Sequence, residues 1–319
     1  MKKIKLFTHT DSDGIGCAIV GKLIFKNIDI SYCNYDKIDE EIVNFISNKE
    51  YLNYDFVYIT DLSVKKETEN LINNTQAENM LNGFMLNKIF QLFDHHPTAE
   101  NLNKNFWCEV VIDKNNEKTC GTSLFYDSII FDHYKIDNKI NKDNLFKFVE
   151  LVRKYDTWLW FTKYNDVEPK KWNDFLYILG KERFVEYVIK KIKSKKEFGL
   201  DSFAKSVLGL EQNKIDAYVE AKDKNIIIKT ILGYNAGIVF AETYKSELGN
   251  RLAKLHPELD FIILIDMDRS ISYRTVKENI DVGKDIAKVF GGGGHVKAAG
   301  SEIDKNIIKE FINKLFDKE

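Results

Sequence analysis

Two adjacent histidines, His95 and His96, stand behind Asp94 at the end of an apolar run, Ile89 to Phe93, in a chain with 6 histidines among 319 residues. Imidazoles beside a carboxylate at such a place suit metal or phosphate chemistry. Further donors follow other apolar runs: His9-Thr10-Asp11-Ser12-Asp13-Gly14 after one, and Asp61 after Phe56-Val57-Tyr58-Ile59-Thr60. Asp156, four residues beyond Val152, falls on the inward face of an amphipathic stretch. Carboxylates gathered in a low-dielectric site repel one another, so Asp11, Asp13, Asp61 and Asp156 require cations. Two ions about 3.5 to 4 Å apart, bridged by one carboxylate, would satisfy the set and activate a water for in-line attack on phosphorus. Mixed imidazole and carboxylate donors suit two Mn2+ better than Ca2+ or an all-cysteine zinc site, with Co2+ or Mg2+ as substitutes.

Singly, each residue has a plainer explanation. Asp13-Gly14 is a turn signal, Asp61 a helix N-cap, and Asp156 a helix-end residue near a cation. Jointly, several apolar strands that all end in Asp or His are hard to ascribe to capping. A second constellation lies near the C-terminus, where Gly291 to Gly294 precede His295. Successive glycines, here Gly292, Gly293 and Gly294, leave backbone N–H groups open and let a flexible turn fold around a phosphate. Arg274, which can grip a terminal phosphate bidentately, completes an anion clamp with His295. Trp158, Trp160 and Tyr273 are candidates for base stacking, although an aromatic beside a helix end is more often core. The lysine-rich run 190–196 reads as a solvated helix face.

These residues need elements to position them. Lys3–Thr8, Ile28–Cys33, Asp55–Thr60 and the run ending at Asp94 read as strands. Gly14–Phe25, Ile38–Ile46 and Lys66–Met80 read as the helices between them. That alternation predicts a largely parallel sheet with helices on both faces, and ligands at the carboxyl ends of its strands. Phe106–Ile112 is a further strand candidate, and Gly121–Phe131 a helix entered through capping hydroxyls in Thr119 to Ser123. Helical periodicity continues over Asn144–Lys154 and Trp172–Ile192. From Asn225 the organisation changes: a hairpin (Ile226–Leu232, Ala236–Ala241), a helix Ser246–Leu255, and a strand Phe261–Ile265. Met267-Asp268-Arg269 then turns the chain into Ser270–Arg274, and helices follow over Val282–Phe290, capped by Asp281, and Lys305–Phe316.

Composition sets outer bounds. Hydrophobic residues at 44% supply packed cores, and Lys+Arg 47 against Asp+Glu 49 leaves no basic field to recruit long nucleic acid. No apolar run approaches the ~20 residues of a membrane span, and no signal-peptide core follows Met1, so a soluble cytoplasmic protein is expected. Cys17, Cys33, Cys108 and Cys120 show no paired spacing and read as thiols. His133 and His256 carry no motif.

The motifs His9-Thr10-Asp11-Ser12-Asp13-Gly14, Asp61, Asp94-His95-His96 and Asp156 resemble those of the DHH phosphoesterase superfamily. Ser272 to Thr275, Asp281-Val282-Gly283, Gly291 to His295 and Ala298-Ala299-Gly300 resemble its DHH-associated C-terminal domain, so the likeness covers nearly the whole chain. It is most similar to the nanoRNase B type of oligoribonuclease. The resemblance implies an α/β fold with a DHH metal-binding domain (1–195), a helical linker (196–223) and a smaller mixed-sheet α/β domain (224–319), with the active site in the cleft between domains. It implies that His9, Asp11 and Asp61 hold one Mn2+ and Asp13, Asp61, His95 and Asp156 the other. His96 would face the scissile phosphate and Asp94 would orient the imidazoles. The expected activity is Mn2+-dependent hydrolysis of short oligoribonucleotides to nucleoside monophosphates, with a homodimer compatible. The alternatives are a 3'-phosphoadenosine 5'-phosphate phosphatase, a cyclic or linear dinucleotide phosphodiesterase, and a nucleotide-binding regulatory protein without catalysis.

Overall fold

The structure, a computed structural model, describes residues 2–81, 89–131, 137–267 and 270–317. His133 and the Asp268-Arg269 part of the expected turn lie outside them. The chain divides into two compact units, Met1–Leu208 and Gly209–Glu319.

In the first unit, β1 (Ile4–Thr8), β2 (Ile28–Tyr32), β3 (Phe56–Thr60), β4 (Phe90–Asp94) and β5 (Cys108–Val110) form a sheet of order β2-β1-β3-β4-β5. Every neighbouring pair is parallel. The crossovers run through α1 (Ser12–Ile24), α2 (Ile38–Ser47) and α3 (Lys66–Leu81). Alternate side chains bury opposite faces, as period-2 strands in a covered sheet must. Leu6, Tyr58 and Phe93 pack with α1 and the later helices, whereas Phe7, Val57, Ile59 and Leu92 pack with α2. The order reverses direction between β1 and β3, which opens a crevice beyond their carboxyl ends.

Beyond β5, a short ribbon, β6 (Asp113–Lys114) and β7 (Glu117–Lys118), precedes α4 (Gly121–Phe131), α5 (Lys142–Asp156) and α6 (Leu159–Thr162). The helical pattern expected over Trp172–Ile192 is two helices, α7 (Glu168–Leu179) and α8 (Lys181–Ile192), broken at Gly180, whose φ of 76° neither helix can contain.

α9 (Ser202–Asp223) leads into the second unit. Its sheet has the order β12-β13-β11-β10-β9-β8, comprising β8 (Ile227–Ile231), β9 (Tyr234–Phe240), β10 (Phe261–Asp266), β11 (Ser270–Arg274), β12 (Gly293–His295) and β13 (Ala298–Glu302). Only β9 and β10 pair in parallel, across the crossover helix α10 (Lys245–Leu255). The helix expected over Val282–Phe290 is a π segment, Val282–Ile286, followed by a 3₁₀ turn, Ala287–Phe290. The cause is close packing: a Cβ on Gly283 would lie 2.6 Å from Gly294 O, and Val282 N bonds Val296 O at 2.9 Å. Asp281 does cap it, accepting from the amides of Gly283 and Lys284. α11 (Lys305–Phe316) follows β13. No helix among the described residues is long and apolar enough to cross a membrane.

Candidate metal centre

His9 and Asp11 leave the sheet where β1 becomes α1. Asp11 caps that helix with Oδ1, which accepts from Asp13 N (3.1 Å) and Gly14 N (3.0 Å). Its other oxygen, Oδ2, lies 2.9 Å from His9 Nδ1. Capping of α1 therefore occupies one oxygen of this carboxylate and leaves the other. A Cβ on Gly14 would fall 2.2 Å from His9 O, so the turn that brings His9 back over α1 requires glycine.

Asp13 is fully buried and held by the N-terminus of α4. Gly121 N (2.6 Å) and Thr122 N (2.8 Å) donate to its carboxylate, and Thr122 Oγ1 donates to its carbonyl. The hydroxyls expected to cap α4 include one that does so: Ser123 Oγ accepts from Cys120 N at 3.0 Å. The next two free amides of the helix end are spent on Asp13. Asp61 follows β3 with a left-handed φ of 56° and its amide bonds Phe93 O, which aims its carboxylate across the crevice. A Cβ on Gly121 would lie 2.7 Å from Asp61 Cβ and 3.1 Å from Asp13 Oδ2.

Asp94 Oδ1 accepts from the amides of His95 (2.8 Å) and His96 (3.3 Å) and pairs with His96 Nδ1 at 2.7 Å. It thus fixes the His96 ring, whereas the expected role of orienting both imidazoles is met at His95 only through the backbone. Tyr35 OH lies 3.2 Å from His96 Nε2, and its ring centroid is 4.7 Å from that of His9. Sequence reasoning missed Tyr35 because it follows β2 without any motif. Gly121 and Thr122 were missed as site-builders because only the folded chain brings α4 to Asp13.

The predicted ligands converge. His95 Nε2 lies 3.6 Å from Asp13 Oδ2, 3.4 Å from Asp61 Oδ1 and 3.4 Å from Asp156 Oδ2, while His9 Nδ1 lies 3.7 Å from Asp61 Oδ2. Three groups have ligand atoms within 4.8 Å of one another: His9, Asp11 and Asp61; Asp13, His95 and Asp156; and Asp61, Asp94, His95 and His96. Five buried atoms in this cluster close no hydrogen bond, namely His9 Nδ1, Asp61 Oδ2, Asp94 Oδ2, His95 Nε2 and Asp156 Oδ2. His9 Nδ1 stands 2.9 Å from Asp11 Oδ2 as an ion-pair contact. Orphaned polar atoms this dense are costly unless shared by cations, so the residues fit a divalent metal.

Charge follows the geometry. Burial, and then the neighbouring Asp13 carboxylate, hold Asp61 well above the usual carboxylate range and raise Asp156 to about 8. Burial alone would lower His9, but its contacts with Asp11 and Asp61 outweigh this and hold the imidazole at about 10. Burial likewise opposes the ionised form of Asp11, yet His9 keeps that carboxyl below its ordinary value. The hydrogen bond to Asp94 raises His96.

The second set of predicted residues sits in the other unit. Arg274 ends β11 opposite Ala298, which pairs in turn with His295 of β12, so Arg274 and His295 occupy one register row and share a sheet face. The Arg274 guanidinium donates to Tyr273 O (2.9 Å) and Ala299 O (3.3 Å), and no carboxylate pairs with it among the described residues. The flexible turn expected over Gly292, Gly293 and Gly294 is instead an edge strand and its entry. A Cβ would lie 2.0 Å from Gly300 O at Gly292 and 2.6 Å from Ala299 Cα at Gly294, whereas at Gly293 it would meet open space. Tyr273 and Trp160 are buried, Tyr273 with its hydroxyl on Ser301, and Trp158 is exposed. All four cysteines are free.

No family model matches the chain. An oligoribonuclease NrnB from Bacillus subtilis (strain 168) is 37% identical over 317 residues, 98% of this chain and 75% of that protein. A 3',5'-cyclic-nucleotide phosphodiesterase from Helicobacter pylori (strain ATCC 700392 / 26695) is 25% identical, covering 99% of each chain. Among solved structures, an uncharacterized protein from Helicobacter pylori G27 shares the fold with a TM-score of 0.51 at 21% identity, covering 99% of each chain.

Proposed function

The chain belongs to the DHH phosphoesterases of the nanoRNase B type, and from that premise we propose a Mn2+-dependent enzyme that cuts short oligoribonucleotides to nucleoside monophosphates. It is a phosphodiesterase acting on short nucleic acid; the metal and the preferred substrate are the proposal. The observation that carries it is the convergence of His9, Asp11, Asp13, Asp61, His95 and Asp156 with buried donor atoms left over.

In this reading His9, Asp11 and Asp61 hold one ion, Asp13, Asp61, His95 and Asp156 the other, and Asp61 is shared. Bound divalent ions supply an activated water and neutralise charge developing on the phosphate. The protein contributes position. The α4 amides hold Asp13, the Asp61 backbone fixes the shared carboxylate, and Asp94 locks the His96 ring so that Nε2 can donate to a phosphate oxygen or leaving group. Arg274 and His295, on one row of the second unit, together with the Gly292 to Gly294 backbone, bind a second phosphate or a terminal one. Such a ligand set favours a short strand over a duplex. The proposal sets the activity in the cytoplasm and is compatible with a homodimer.

The cyclic-nucleotide phosphodiesterase among the relatives favours one second reading, a cyclic or linear dinucleotide substrate. A side-by-side assay separates the readings. Purified protein is given Mn2+, Co2+ or Mg2+ and incubated with RNA of two to five residues, linear and cyclic dinucleotides, and 3'-phosphoadenosine 5'-phosphate. Highest kcat/KM on the short RNAs with Mn2+ is expected. No turnover of short RNA at full metal occupancy sinks the proposal, and binding without turnover of any substrate points to a regulatory protein.

A further inference from the structure

α5 ends at Asp156, and two residues later Trp158 takes a left-handed conformation, φ 59° and ψ 8°. Its amide bonds Tyr155 O at 3.1 Å, closing a helix C-terminal turn that glycine fills without strain. A bulky residue is held there at a cost, and strained positions of this kind cluster at functional sites. Burial does not offset the cost, because Trp158 is 62% exposed. The core explanation that holds for Trp160 and Tyr273 therefore fails for Trp158.

Behind the open indole lies an ordered stack. Trp158 lies on Trp160 with ring centroids 5.7 Å apart, and Trp160 lies on Tyr155 at 6.5 Å and 15°. Tyr155 is the chain neighbour of the candidate ligand Asp156 and lines one cavity with Ser12, which stands between Asp11 and Asp13. The segment is also braced. Glu117 accepts from Lys163 Nζ (2.6 Å) and Tyr164 OH (2.7 Å) and pairs with Arg153 of α5 at 2.7 Å. The stack thus begins beside the metal centre and ends on an exposed, rigidly presented aromatic face.

We propose that Trp158 is the platform on which an unpaired nucleobase of the substrate stacks. The proposal rests on the phosphodiesterase reading for its ligand and adds a subsite to it. Every base has a π-face, so a single ring selects unpaired bases without selecting sequence, and a duplex, whose bases stack on each other, offers it nothing.

Trp158→Gly tests this cleanly, because glycine accepts the left-handed backbone and the variant should melt at the same temperature as the parent or higher. Equilibrium dialysis of the full chain against adenosine 5'-monophosphate and against ribose 5-phosphate reads the base directly. Trp158→Gly should bind the nucleotide about 5- to 150-fold more weakly, the range for one base on one ring, and ribose 5-phosphate unchanged. Trp158→Phe should recover most of the loss, and KM for a ribodinucleotide should rise in step. Equal nucleotide affinity in parent and Trp158→Gly, an equal loss for ribose 5-phosphate, or no nucleotide binding by the parent each overturns the platform. If the parent binds nucleotide through Trp158 yet cleaves no short RNA, the platform stands and the substrate reading falls. If it cleaves short RNA and Trp158→Gly matches it in both affinity and KM, the reverse holds.

Discussion

Asp61 belongs to two of the three ligand groups, and its aim comes from a left-handed backbone, so no neighbour can take its place by changing rotamer. Asp61→Ala should lower kcat by about 10³-fold or more, since several kcal/mol of charge stabilisation depend on the shared ligand. Elemental analysis should find less than the parent's metal content, and parental turnover with a full metal complement would refute the assignment. Asp156 gives a prediction in pH. Its carboxyl, raised to about 8 in the folded chain, binds a proton more tightly there than when unfolded. Its contribution to the stability of the metal-free protein should therefore be fullest at low pH and be lost as pH rises from the ordinary carboxylate range through about 8. Divalent metal should displace the proton and flatten the loss, as melting curves with and without chelator will show. The six residues that converge at the crevice were legible in the sequence because each follows an apolar strand or ends a helix stripe. Tyr35 and Thr122 were not, since their roles depend on which loop or helix end folds over the crevice.

α4 is the element that fixes the centre from behind, and Gly121 lets it approach. Gly121→Ala sets a methyl against both Asp61 and Asp13, so a loss of about 1–3 kcal/mol in stability is expected together with weaker metal binding. Unchanged denaturation midpoint and metal affinity would contradict the close approach. In the second unit, Arg274→Ala should raise KM for short RNA by about 10- to 100-fold with a smaller effect on kcat, the signature of lost ground-state binding by a charge-assisted contact. An unchanged KM counts against the clamp. The five strands and three crossovers of the first sheet were readable from apolar runs and their period. The glycine run was misread as a loose turn because glycine signals both freedom and close approach, and only the pairing with Ala298 to Gly300 distinguishes them.

The molecule as a whole carries a formal charge of -2, so no net basic field recruits a long polyanion. Affinity for short RNA should therefore fall gently with salt, consistent with about two to three phosphate contacts, and should not climb with length beyond a few residues. A steep salt slope or tighter binding of long strands would argue for an extended groove. The parallel sheet was accessible from alternating patterns, while the position of the crevice required the order of strands in space. That order has one more consequence. His9, Asp61, His95 and Asp156 are spread along most of the first unit's chain yet form one chain of contacts through Asp61 and His95. Two ions sharing Asp61 would tie them into a removable cross-link, closing successive long loops whose closure entropy the unfolded chain would otherwise regain. Chelation would then loosen the unit like reduction of a disulfide, and refolding in metal would be paced by whichever loop closes last.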